Sequence, residues 1–255
     1  MKIEIVSHCF SHPDVPVYHK LLAYQLAAIV NQPPTRCEVA VTVCALGVDD
    51  RYTLGVLEHF DGLLDLNIMA IPREQLFRRA IGRNIAAKST DADLVIFTDC
   101  DYVWTREALD WLANMWAAAS MMMPVLTYPQ IVNIHRTHDI GDAYVARVTT
   151  PLDPAALMLN DADFLPRRES NAWGGMFVVR GDYCREHGYL DGTKWVEPVP
   201  NATHFKQCKC DVPFRKACPT KAPLDIPGVY RLRHTRAGRD EGQKDHGTQT
   251  REAPF

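Results

Sequence analysis

No run of about 20 apolar residues, the length a membrane-crossing helix needs, occurs anywhere in the sequence. The longest apolar stretches, 21–30 and 111–126, are interrupted by Gln25 and by Asn114, Ser120 and Pro124, and read as core helices or strands. The opening residues Met1-Lys2-Ile3-Glu4-Ile5-Val6 turn into a strand at once, without the basic-then-apolar build of a signal peptide. The expectation is a cytoplasmic protein. Strong charge of one sign is missing too: the formal net charge is -3 and the pI is near 6.4, which gives no global field for gathering nucleic acid. A strand followed by Gly-x-Gly-x-x-Gly, a Gly-x-x-x-x-Gly-Lys phosphate loop and a Gly-x-Ser-x-Gly elbow are all absent, which disfavours dehydrogenase, P-loop NTPase and serine hydrolase readings. There are no internal repeats, no low-complexity blocks and no visible linker between independent domains.

What is present fits one globular domain. The chain has 255 residues, 47% hydrophobic and 23% charged, enough to enclose a substantial core. Strand and helix patterns alternate over the first half. Strands are expected at 3–6, 37–46, 66–71 and 94–98, with helices at 17–30, 51–60, 75–88 and 105–118, the last capped by Thr105. Such alternation implies a mostly parallel sheet covered by helices. The second half is less regular. A strand is expected at 124–135, a loop-rich stretch at 136–170, a strand at 174–180, a helix at 182–188 and a last strand at 229–232. Six prolines between 198 and 227 mark a region of turns.

Of the 8 cysteines, Cys9, Cys37, Cys44, Cys100 and Cys184 are scattered and read as mostly buried free thiols. Cys208, Cys210 and Cys218 cluster with His204. They supply four candidate ligands for a structural Zn2+, though their spacing matches no familiar zinc finger.

The most informative triplet is Asp99-Cys100-Asp101. It follows the very apolar Leu94-Val95-Ile96-Phe97-Thr98 directly, and open α/β sheets bind ligands at the carboxyl ends of their strands. Two carboxylates there suit a hard divalent cation that neutralises a diphosphate. Asp-x-Asp alone is common in loops, so its neighbours decide its weight. The helix Arg79-Ala80-Ile81-Gly82-Arg83-Asn84-Ile85-Ala86-Ala87-Lys88, a short acidic turn and then the strand and triplet resemble the nucleotide-sugar half of GT-A glycosyltransferases, most closely glycosyltransferase family 2. Trp173-Gly174-Gly175-Met176-Phe177-Val178-Val179-Arg180 resembles the Gly-Gly segment of the related galactosyltransferase C-terminal-like enzymes. Cys210-Asp211-Val212-Pro213 is similar to the acidic segment that supplies a catalytic base there, although Cys210 replaces the usual Glu.

The resemblance implies a single GT-A domain, with a donor and metal half at 1–125, an acceptor half at 126–240 and a mobile tail at 241–255. It implies Mn2+ or Mg2+ on Asp99, Asp101 and His234. Ser7, Asp49, Arg83, Asn84, Asp99, Arg236 and Arg239 would line the donor site, with a UDP-sugar as the favoured donor. Trp173, Gly174 and Gly175 would face the sugar or acceptor. Asp211 would be the base that removes the acceptor proton, with Glu197 as a rival. Helix capping is the plainer role for Asp211. The acceptor is open: a cellular glycan, or DNA carrying hydroxymethylated bases if the late arginines form a basic face. A sugar-phosphate nucleotidyltransferase and a non-catalytic nucleotide-sugar-binding module are the competing readings.

Overall fold

The computed structural model describes residues 1–11, 17–172, 174–198, 200 and 210–234. In chain order these form β1 (Lys2–His8), α1 (Tyr18–Asn31), β2 (Glu38–Ala45), α2 (Arg51–Phe60), β3 (Asp65–Ala70), α3 (Arg73–Leu76), α4 (Arg79–Ser89), β4 (Leu94–Thr98), β5 (Tyr102–Trp104) and α5 (Arg106–Ala119). The second half adds β6 (Leu126–Pro129), β7 (Ile131–His135), α6 (His138–Arg147), β8 (Phe164–Arg168), β9 (Met176–Arg180), α7 (Gly181–His187), α8 (Asp211–Ala217), β10 (Lys221–Leu224) and β11 (Val229–Arg231).

Seven strands make the main sheet in the order β10-β6-β9-β4-β1-β2-β3, and β5-β11-β7-β8 make a smaller one. In the main sheet only β9 runs against its neighbours β4 and β6. The chain winds outward from β1 to β2 and β3 on one side and to β4 on the other, so the order reverses at β1. The crevice at the carboxyl ends of β1 and β4 is therefore the natural ligand position of this sheet.

Strand alternation sorts the core. Ile3, Ile5, Leu94, Ile96, Met176 and Val178 point to one face, where they meet Leu22 and Leu26 of α1. Val6, Val95, Phe97, Phe177 and Val179 point to the other and meet Tyr189 and Phe214. Both faces of β4 are covered, which is why Leu94 to Thr98 carries no exposed position. The first apolar cluster also takes in Val132, Ile134, Phe164 and Val229 from the small sheet, so one core serves both.

Four expectations need correction. The helix foreseen at 75–88 is broken between Leu76 and Arg79, because Phe77 turns inward and meets the ring of Phe10 edge-on at 4.9 Å. The strand foreseen at 124–135 is two strands in different sheets. They separate at Gln130, whose N–H donates to Leu224 O at 2.8 Å and whose carbonyl accepts from Glu169 N–H at 2.8 Å. Thr105 holds the N-cap position of α5 as expected, but its side chain makes no cap bond; the hydroxyl donates instead to Gly228 O at 2.9 Å. The stretch 136–170, expected to be loop-rich, also holds two elements that were not foreseen, α6 and β8. Thr137 caps α6 by accepting from Ile140 N–H at 3.3 Å, and the helix packs so closely on the Arg233 carbonyl that a Cβ at Gly141 would overlap it. Among the described residues no helix is long and apolar enough to cross a membrane.

Behind the small sheet, His135 is buried between Tyr144 (centroids 4.5 Å apart) and Phe164 (4.2 Å). Burial pushes its pKa down from 6.5 to about 4, against an upward pull from the Arg233 backbone. The folded protein thus binds this proton less readily than the unfolded chain. The resulting stabilisation is complete above about pH 6.5 and is lost as pH falls toward 4. Urea midpoints are expected to drop between pH 7 and pH 5, and to drop less in His135→Phe, which keeps a ring but cannot titrate. Equal losses in the two proteins would show that His135 does not contribute.

Candidate active site

The site is built where α4 lies over the ends of β1 and β4. A Cβ on Gly82 would fall 2.7 Å from Cys44 Sγ, 3.0 Å from Ile71 Cδ1 and still closer to His8 Nε2, so glycine is what lets α4 approach the sheet here. One turn apart on that helix, Arg79 and Arg83 project toward the end of β4. Both reach Asp99 Oδ1: Arg79 through Nη1 in a very short ion pair, and Arg83 through Nη2 at 3.3 Å.

Arg83 is fully buried. Its Nη1 donates to Tyr189 OH at 3.2 Å and to Asp211 Oδ1 at 3.3 Å, and its guanidinium lies over the Tyr189 ring. Burial opposes its charge, yet Tyr189, Asp99 and Asp211 hold its pKa above the usual value. Burial, followed by the charges of Arg83 and Arg79, pushes His8 well below the ordinary histidine range, so the imidazole beside the arginines is neutral. Tyr189 OH also lies 3.4 Å from Asp211 Oδ1, and its ring stacks on Phe214 of α8 at 4.0 Å. Asp211 is the first residue of α8 rather than its cap; its carboxylate faces Arg83 and Tyr189, which corrects the capping alternative.

The triplet is pinned through its backbone. Tyr102 N–H donates to Asp99 O at 3.1 Å, Gln25 Nε2 donates to Tyr102 O at 2.7 Å, and Leu232 N–H donates to Asp101 O at 2.8 Å. This turn directs Asp101 away from α4 and toward Arg231 of β11, whose Nε donates to Asp101 Oδ2 at 3.1 Å. Cys100 is buried against Cys9, and that contact together with burial keeps its thiol protonated. His234 is buried three residues beyond Arg231, meeting Tyr18 edge-on at 5.2 Å.

Gly175 lies beside Asp99, where a Cβ would fall 2.6 Å from Tyr102 Cε2 and 3.3 Å from Asp99 Oδ2. Glycine is what lets the backbone pack this closely on Tyr102, and the hard oxygens of Asp99 and Asp101 suit Mg2+ or Mn2+ in ligand chemistry. Among the described residues, however, no three His, Cys, Asp or Glu side chains stand together as a ready metal site. Arginines occupy both carboxylates instead.

The remaining candidates are distributed as follows. Ser7 is buried at the end of β1, with no hydrogen-bond partner for its hydroxyl among the described residues. Asp49 is exposed beyond β2, while its neighbour Asp50 is buried and caps α2 through Thr53 N–H at 3.0 Å. Asn84 is engaged within the fold: its carbonyl accepts from Tyr189 N–H at 2.8 Å and its amide donates to Asp191 at 3.0 Å. Glu197 is exposed and makes no ion pair among the described residues. Cys210 and Cys218 are buried, and burial pushes the Cys218 thiol up to about 11. Trp173, His204, Cys208, Arg236 and Arg239 lie outside the described residues. Sequence reasoning did not single out Arg79 or Tyr189. The four-residue spacing from Arg79 to Arg83 was the available signal for the first.

The chain has the fold of the GT-A glycosyltransferases. No family model matches it, and no curated protein matches its sequence. Among solved structures it is similar to S. aureus TarS 1-349, with a TM-score of 0.56 and 12% identity over 91% of this chain and 60% of that one. It is likewise similar to S. aureus TarS 1-349 in complex with UDP-GlcNAc, with a TM-score of 0.54 and 13% identity over 90% of this chain and 58% of that one. A mannosyltransferase from Pyrobaculum calidifontis in complex with GDP-Man and Mn2+ aligns at a TM-score of 0.47 and 14% identity, over 93% of this chain and 58% of that one. The chain thus spans about 60% of the length of these three solved chains.

Gly174 packs directly on Asp211, where a Cβ would overlap the carboxyl group. A crystal structure of Gly174→Ala is therefore expected to show Asp211 moved out of hydrogen-bond reach of Arg83, with the helix α8 retained. An unmoved Asp211 would show that the glycine has no such positioning effect.

Proposed function

We propose that the protein is a glycosyltransferase that moves a sugar from a nucleotide-sugar donor, UDP-linked by preference, to an acceptor hydroxyl. The observation that carries this reading is the convergence on Arg83. This one buried cation joins Asp99, at the strand end where the fold binds ligands, to Asp211, 112 positions later in the chain, at 3.3 Å each. Two segments singled out for separate roles therefore meet at one guanidinium. A structural ion pair needs no second carboxylate at a cleft; a site handling a charged leaving group and a proton does.

In this reading the donor diphosphate lies across the ends of β1 and β4, beside Ser7 and Asp49. Arg79, Arg83 and Arg231 are the nearest described cations for its oxygens, and Arg236 and Arg239 would add to them. Asp99 and Asp101, with His234, would hold Mn2+ or Mg2+, whose charge would neutralise the leaving diphosphate. Gly174 and Gly175, having no Cβ, bring their backbone close to Asp211 and Asp99, where it would face the sugar. Asp211 takes the acceptor proton as the acceptor oxygen bonds to the anomeric carbon and the nucleoside diphosphate departs, giving inversion. Glu197 is exposed and, among the described residues, has no ion-pair partner that would orient it for the same task.

Calorimetry with UDP and GDP in the presence of Mn2+ is expected to show metal-dependent binding. Its absence for every nucleoside diphosphate would sink the reading. Screening nucleotide sugars against small-molecule, protein and DNA acceptors by mass spectrometry then identifies the reaction. Asp211→Asn is expected to lower kcat by about 10²–10⁴ while nucleotide affinity holds; a full rate in that variant would remove Asp211 as the base.

A further inference from the structure

We infer that Tyr189 and Cys210 are positioning residues which, together with Arg83, hold Oδ1 of Asp211 and leave Oδ2 as the oxygen that takes the acceptor proton. The inference rests on the reading of Asp211 as the base. The two oxygens of this carboxylate have unlike surroundings. Three donors converge on Oδ1: Arg83 Nη1 at 3.3 Å, Tyr189 OH at 3.4 Å and Cys210 Sγ at 3.6 Å. Among the described residues none donates a hydrogen bond to Oδ2. Each contact to Oδ1 is long, so the orientation depends on the three acting together.

Burial distinguishes the oxygens as well. Arg83, Tyr189 and Cys210 are all buried, whereas the Asp211 side chain is 24% exposed, so the open side of the carboxylate is that of Oδ2. Burial pushes the Tyr189 phenol well above its ordinary range, and it keeps its proton. Arg83 Nη1 donates to the phenol oxygen at 3.2 Å, which leaves the hydroxyl proton to point at Asp211. The ring is stacked on Phe214 at 4.0 Å and does not follow the carboxylate. Gly174 lies against the carboxyl group, where a Cβ would overlap Oδ1, Cγ and Oδ2 alike, so its backbone leaves the group little space to turn.

The acceptor hydroxyl then approaches from the open side. Its proton goes to Oδ2 as its oxygen bonds to the anomeric carbon. The bond from that carbon to the diphosphate oxygen breaks, its electron pair leaving on the nucleoside diphosphate, and the proton passes from Oδ2 to water. A carboxylate free to turn would meet the hydroxyl at changing angles. Misplacing a reacting group by about 1 Å can cost about 10² in rate.

The test combines kinetics of the full chain, using the donor and acceptor that the screen identifies, with crystal structures, which need neither. Tyr189→Phe keeps the ring on Phe214 but has no hydroxyl. It is expected to lower kcat about ten-fold, part of the about 10²–10⁴ that goes with the base itself, while KM for the nucleotide sugar holds. Cys210→Ala is expected to lower kcat about three-fold, a thiol being a weaker donor, and Cys210→Ser, which still donates, to restore it. A crystal structure of the protein carrying both Tyr189→Phe and Cys210→Ala is expected to show the Asp211 carboxylate turned about Cβ–Cγ, with Arg83 and Phe214 in place. Tyr189→Phe alone makes the same comparison should the double variant fold poorly. An unturned carboxylate overturns the inference, as do Tyr189→Phe and Cys210→Ala proteins with the wild-type kcat. If Asp211→Asn runs at the full rate, the base reading falls and this inference with it. A slow Asp211→Asn beside fully active Tyr189→Phe and Cys210→Ala removes the positioning role alone.

Discussion

A single buried positive charge organises the site. Taking an arginine fully out of water costs several kcal/mol unless its donors are met. Arg83 meets most of that demand through its two terminal nitrogens, by gathering groups from three segments: Asp99 after β4, Tyr189 after α7 and Asp211 at the start of α8. None of these segments would need to adjoin the others for the sheet to form. Breaking the arrangement from any one side leaves a buried charge short of a partner, which is costlier than never having built it. The acceptor half of the chain is thereby tied to the donor half through the site itself.

That charge sits where it does because of what α4 lacks. Gly82 brings the helix onto His8 and Cys44 at the ends of β1 and β2, and the break at Phe77 sets the helix direction just before Arg79. His8, held neutral by burial and by the arginines, adds no third cation beneath them. The aromatic stack of Tyr189 on Phe214, flanked by Phe97 edge-on to Tyr189 at 5.0 Å, then fixes the phenol that Arg83 and Asp211 share. An apolar cluster thus sets the geometry of a polar network.

How much of this the sequence disclosed depended on whether a signal was local. β4 at Leu94–Thr98 and α2 at Arg51–Phe60 lie where hydrophobic patterning puts them, because one is buried on both faces and the other alternates at helical spacing. α6 escaped notice since Gly141 weakens its helical pattern, and glycine is required there by the Arg233 carbonyl, 92 residues away. The division at Gln130 was invisible for a similar reason, as its partner strands are β9 and β10 on one side and β8 and β11 on the other. The site followed the same rule. Asp99, Asp101, Arg83 and Asp211 stood out in short segments, while the pairing of Arg231 with Asp101, 130 positions apart, exists only in the fold.

Cys100 now has a physical account. The chain turns immediately after β4, with Tyr102 N–H returning to Asp99 O, so three consecutive side chains leave in three directions. Asp99 goes to the arginines of α4, Asp101 to Arg231, and the middle residue into the core against Cys9. A residue with a larger or charged side chain at the middle position would have to be buried there or unwind the turn. The turn needs a small apolar group to hold its two carboxylates apart. Because they diverge, Asp99 meets the arginines of α4 while Asp101 meets that of β11, and neither carboxylate competes for the other's partner.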